Sequence, residues 1–167
     1  MIKSFKAFFL PILLLILVMS ASSCTVIFQK GRRVDVEKIS KLKSELTDLE
    51  RAKAELENRL RREIDDSEVK VEMLERGLVI TFVAEVLFDS GKAELRQPSL
   101  ETIKKVARVL NTTVKDLDVG VEGHTDNVPI KYSGWKSNWE LSTARALSVL
   151  EFLVDKHDVD PKRVGAT

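Results

Sequence analysis

Residues 117–127 read LDVGVEGHTDN. Leu117, Val119 and Val121 alternate with Asp118, Gly120 and Glu122, the period of a half-buried strand. The alternation stops at Gly123, and His124, Thr125 and Asp126 follow where the strand ends, with Pro129 close behind. A histidine beside a carboxylate at a strand end could be a metal ligand, a catalytic pair or part of a binding pocket. The surrounding chain has to decide between them.

Upstream, VKVEMLERGLVITF (residues 69–82) alternates apolar and polar residues on both sides of Glu75, Arg76 and Gly77, which predicts a hairpin. VLFDSGKAEL (residues 86–95) follows, with a turn at Ser90 and Gly91. Leu100, Ile103, Val106, Ala107 and Leu110 then share one face of a helix. Downstream, SNWELSTARALSVLEFLVDKH (residues 137–157) predicts a second helix, opened by a capping box of Ser137 and Glu140. RVGAT (residues 163–167) begins another strand. Strands alternating with helices predict an α+β fold, a sheet with two helices on one face.

Residues 32–76 contain neither glycine nor proline. Ile39, Leu42, Leu46, Leu49, Leu56 and Leu60 recur by threes and fours, with Lys53 filling one place, an a/d heptad in a helix expected over residues 36–65. Such a helix is about 45 Å long at 1.5 Å per residue and serves as a spacer. The seam suits a homodimer or another coiled-coil partner. In a parallel pair, however, Glu45 would face Glu50 of the other helix, and Lys53 would lie in the core. The alternative is a single helix laid against the domain or a membrane.

The first residues carry an export signal: Lys3 and Lys6, then the apolar AFFLPILLLILVM (residues 7–19) and the small residues of SASSC ending at Cys24. This pattern resembles a lipoprotein signal whose cysteine is lipidated, with Ala21 where the lipobox pattern has leucine. The alternative is an uncleaved anchor, because residues 7–28 are free of charge and long enough to span a bilayer. The expected organisation is a signal peptide at residues 1–23, a linker at 24–35, a helical stalk at 36–66 and a globular domain at 69–167. The bulk of the 167 residues lies outside the cytoplasm on either reading. A net charge of +1 gives no global basic field for nucleic acid, and a single cysteine excludes an internal disulfide framework and a cysteine zinc site.

LFDSGKAEL, VEGHTDN and SNWELSTARA, in this order and spacing, resemble the OmpA-like C-terminal domain. That family is shared by outer-membrane porin-type proteins, peptidoglycan-associated lipoproteins and MotB flagellar stator subunits, and the NVPI…SNWELSTARA form is most similar to the MotB branch. The resemblance spans about residues 69–167 and implies a βαβα(β) sheet that binds peptidoglycan. It implies that Asp126 takes the ammonium of the diaminopimelate stem residue and that Arg145 forks onto its carboxylate, which lysine could not copy. It further implies a hydrogen bond from Asn138, an apolar wall at Leu141, and lining from Thr125, Phe88 and Asp89. Asn138, Leu141 and Arg145 are spaced by three and four and so share one helix face. The family pattern continues past RVGAT with a further helix and strand, so a C-terminally incomplete domain of reduced stability is expected.

The histidine question then resolves toward structure. The only other histidine, His157, has no ligand-like spacing to His124. No serine is singled out as a nucleophile. The expected function is a non-catalytic tether without metal or cofactor: an outer-membrane lipoprotein facing the periplasm and holding peptidoglycan. Thr25 after the cysteine leans towards the outer membrane. The alternative is a MotB-type stator subunit. A stator span needs a carboxylate for ion coupling, and the apolar segment holds neither Asp nor Glu. Trp135 and Trp139, around the start of the second helix, are either core or a rim for the glycan.

Overall fold

The computed structural model describes residues 30–125 and 134–166. The signal segment, Cys24 and Asp126 therefore lie outside the described residues. The chain divides into two units, residues 1–39 and 40–167. Of the first, the described part is the opening of helix α1 (Lys30–Arg59).

Helix α1 begins inside the stretch expected as linker. It is followed by α2 (Arg61–Asp65). Helical bonds from Leu60 N–H to the Leu56 carbonyl and from Ile64 N–H to the Leu60 carbonyl carry the ladder across the junction, so the helix expected over residues 36–65 is continuous in its bonding. It ends at Ser67, whose φ of 60° is left-handed, with the Glu68 N–H bonded to the Glu63 carbonyl.

The uniform heptad divides into two environments. Ile39, Leu42 and Leu46 are exposed, whereas Leu56 and Leu60, with Ala52 beside them, are buried in the core of the second unit. The C-terminal part of the expected stalk is thus part of the globular core. The reason is a facing apolar surface: Val69 and Val71 of strand β1 (Val69–Leu74) and Ile103, Val106 and Val109 of helix α4 (Gln97–Thr112) belong to the same buried cluster. Polar bonds flank it. Thr113 Oγ1 donates to Glu55 Oε2 at 2.6 Å, and Lys105 Nζ pairs with Glu63, which also accepts from Thr102. Lys53, the charge in the heptad, pairs along its own helix with Glu57.

β1 and β2 (Gly77–Phe82) form the expected antiparallel hairpin, with Val69 opposite Phe82 and Leu74 opposite Gly77. Gly77 takes φ of 120°, which explains a glycine there. Helix α3 (Ala84–Leu87) and the turn through Asp89 lead to α4. Then come β3 (Val119–Val121), α5 (Asn138–His157), a 3₁₀ turn (Pro161–Arg163) and β4 (Val164–Ala166). β3 and β4 pair in parallel, Val119 opposite Val164. Among the described residues, the single sheet expected from the sequence is two two-stranded ladders. β3 and β4 offer three residues each, and a side-chain pair joins the hairpin to the end of β3, Arg76 Nη1 to both Glu122 carboxylate oxygens at 2.9 and 3.0 Å.

Helices α4 and α5 pack on each other, and α5 also packs on β3 and β4. Arg163 fixes the last strand. Its guanidinium donates to the carbonyl of Leu110, an acceptor that the end of α4 leaves open, and to those of Val114, Lys115 and Leu117 in the loop that follows. The capping box forms with a shift: Ser137 Oγ accepts from Glu140 N–H, and the Glu140 carboxylate accepts from Lys136 N–H. At the other end of α5, Asp158 is left-handed and Val159 N–H bonds the Leu153 carbonyl, a Schellman-type stop.

The Glu63 pair predicts a pH dependence. Burial is the strongest single influence and works against its charge, but the hydrogen bond and charge of Lys105, a backbone hydrogen bond and the Thr102 hydroxyl together outweigh it and hold the carboxyl below its ordinary value of 4.5. A lowered folded-state value adds stability that is present above 4.5 and lost as pH falls through the folded value. In melts from pH 7 downward, Glu63→Gln is expected to start about 1.5 kcal/mol below the parent and to converge with it on acidification. Parallel curves at every pH would refute the assignment.

Candidate ligand pocket beside α5

Phe88, at the end of α3, is buried, and bridges to Leu95 across the turn. The turn is held by side chains at both ends. The Asp89 carboxylate pairs with Lys92 at 3.1 Å and with Arg96 at 3.5 Å. Gly91 adopts φ of 67°, and its carbonyl accepts from Trp135 Nε1 at 2.7 Å.

Arg145 reaches the same turn from α5. Its Nε donates to the Lys92 carbonyl at 2.8 Å, its Nη2 to the Asp89 carbonyl at 3.2 Å, and its Cζ lies 5.0 Å from the centre of the Phe88 ring. The turn and the aromatic face therefore position the guanidinium. Burial pushes Arg145 down from its ordinary value, with the Glu85 carboxylate acting the other way. An arginine remains charged through any such shift, and partial desolvation strengthens its pairing with an anion. Two of its five N–H donors are engaged by these carbonyls among the described residues, and the Nη1 end of the fork is the geometry that would take a carboxylate.

The sequence-derived residues meet here in part. Arg145, Phe88 and Asp89 are in direct contact, Asp89 through its backbone carbonyl rather than its carboxylate. Leu141 is buried one turn before Arg145, and half-buried Asn138 starts the same helix face. Half-buried Thr125 is the last described residue after β3. Asp126, the expected ammonium partner, and Cys24 lie outside the described residues.

Gly123 joins the strand exit to the helix. A Cβ there would lie 2.1 Å from the Ser142 carbonyl oxygen and 2.7 Å from its carbon. Sequence reasoning assigned no role to Gly123, Ser142 or Lys92, and left Trp135 between core and a rim for the glycan. A glycine closing a strand is a signal of close backbone approach, but its partner on α5 was not legible.

His124 is exposed, and its Nε2 lies 3.4 Å from Glu122, the carboxylate held below its ordinary value by the hydrogen bond from Arg76. No group of three or more His, Cys, Asp or Glu side chains able to hold a metal occurs among the described residues. No helix among them is long and apolar enough to cross a membrane.

The profile of the OmpA family matches residues 87–167. Motility protein B of Bacillus subtilis (strain 168) is 32% identical over 119 residues, covering 71% of this chain and 45% of that protein. The chain spans less than half the length of the curated relatives it matches. Among solved structures, the cell wall anchor of the T6SS from Pseudomonas aeruginosa is similar with a TM-score of 0.58 and 33% identity, over 66% of this chain and 76% of that one. The periplasmic domain of Helicobacter pylori MotB shares the fold with a TM-score of 0.55 at 23% identity, over 59% of this chain and 72% of that one.

Proposed function

Residues 87–167 of this chain are an OmpA family domain, and on that premise we propose that the protein is a non-catalytic tether of the cell envelope that binds the diaminopimelate of peptidoglycan without turnover. The observation that carries this reading is Arg145, held by the Lys92 and Asp89 carbonyls over the Phe88 ring. Diaminopimelate ends in an ammonium and a carboxylate on one carbon. Arg145 takes the carboxylate and Asp126 the ammonium, with Asn138 hydrogen-bonding, Leu141 as an apolar wall and Thr125, Phe88 and Asp89 lining the pocket. Similarity to a cell wall anchor at 33% identity supports the reading.

The N-terminal segment attaches the protein to a membrane, in this reading through a lipid on Cys24 in the outer membrane, with the domain on the periplasmic face. α1 serves as spacer, and its exposed Ile39, Leu42 and Leu46 offer a seam to a second copy or another helix. A second reading, a stator subunit that anchors a motor to peptidoglycan, is favoured by the 32% identity to Motility protein B. The absence of Asp and Glu from residues 7–24 argues against it.

Pull-down of the detergent-solubilised full chain on diaminopimelate-type sacculi tests the tether. Arg145→Ala and Asp126→Ala should each weaken binding about ten- to hundredfold, since a charge-assisted bond contributes about 1.5–3 kcal/mol. Arg145→Lys should recover little, because the fork is lost while the charge remains. Parent-like binding by Arg145→Ala would show that the pocket is elsewhere.

A further inference from the structure

Two tryptophans flank the start of α5, and the structure separates their roles. Trp135 is half-buried, its Nε1 committed to the Gly91 carbonyl at 2.7 Å. Trp139 is 83% exposed and makes no hydrogen bond through its indole among the described residues. The helix's own packing does not explain Trp139, since the buried residues of α5 are Leu141, Ser142, Ala146 and Leu153. Tryptophan is enriched among the anchors of binding surfaces, where a bare indole offers a large rigid apolar face.

Its position relative to Arg145 suggests what would cover that face. Six residues separate them on one helix, an axial rise of about 9 Å. A stem of three residues, from diaminopimelate back to the sugar that carries it, extends to about 10 Å or more. A ligand held by its diaminopimelate at Arg145 therefore brings its sugar within reach of the first turn of α5. Sugar rings present a face of C–H groups, apolar and flat enough to stack on an indole. We propose that Trp139 is a saccharide platform, stacking on the amino sugar of a glycan strand whose stem is held at Arg145, an inference that rests on the peptidoglycan reading above.

Calorimetric titration of the full chain in detergent with two soluble ligands tests this. One is N-acetylglucosaminyl-N-acetylmuramyl tripeptide ending in diaminopimelate, and the other is the same tripeptide without sugars. The parent should bind the sugar-bearing ligand about five- to tenfold more tightly, the scale of one aromatic contact. Trp139→Ala should abolish that margin while keeping the affinity for the bare tripeptide, and Trp139→Phe should retain most of it. Equal affinities in the parent, or an equal loss for both ligands in Trp139→Ala, would overturn the platform and leave the ring to a protein contact. Binding of the bare tripeptide alone would overturn the platform but preserve the tether, whereas binding of neither would overturn both.

Discussion

The Gly123→Ala variant is expected to melt roughly 8–15 °C below the parent, corresponding to about 2–3 kcal/mol of overpacking in a domain of this size. The added methyl would lie 2.1 Å from the Ser142 carbonyl oxygen, a backbone atom inside α5 that cannot swing aside as a flexible side chain would. Either β3 or α5 must move, and both carry residues of the proposed pocket: Thr125 follows the strand and Arg145 lies one turn beyond Ser142. Ligand affinity should therefore fall with stability, even in the fraction that remains folded. Gly165→Ala provides the control, because nothing lies within 4 Å of the added carbon. Equal melting temperatures for the two variants would show that the strand exit does not press on the helix.

Leu60→Ala should cost about 3–4 kcal/mol, the usual range for emptying a leucine site in a packed core. Leu60 is fully buried, at the junction of α1 and α2, in one cluster with Leu56, Val109 and Val159. Leu42→Ala, on the exposed part of the same heptad, should change the stability of the monomer by no more than about 0.5 kcal/mol. Denaturant titration at low protein concentration measures both. Comparable losses would mean that the heptad acts as one stalk, and a large loss only at Leu60 that the end of α1 belongs to the domain. If Leu42→Ala loses stability only at high concentration, the exposed seam is a contact between copies.

These two variants mark the limits of sequence reading. The hairpin around Arg76 and Gly77, the face of α4, the cap at Ser137 and the alignment of Asn138, Leu141 and Arg145 were all legible. Each is written in a period of two or 3.6 residues or in a turn residue at a fixed offset, and these patterns act between neighbours. The family motifs added the expected ligand and its partners. The short parallel ladder of β3 and β4 was less legible, since three-residue strands hold too little alternation to declare their pairing.

The sequence by itself determined local conformation and the sharing of faces: the helices, the hairpin, and the placing of Arg145 with Asn138 and Leu141, the residues proposed for the ligand, on one helical face. Tertiary structure alone decided which copies of a repeated signal are used. Leu42 and Leu60 both lie on the apolar seam of the heptad, yet one is exposed and the other buried. Trp135 and Trp139 are four residues apart, yet one holds the Gly91 turn and the other is left open. The guanidinium of Arg145 is positioned by carbonyls at Asp89 and Lys92, more than fifty positions away in the chain. Periodicity specifies the face a residue shares. Burial and pairing depend on what distant segment arrives to cover that face, and only the packed chain supplies it.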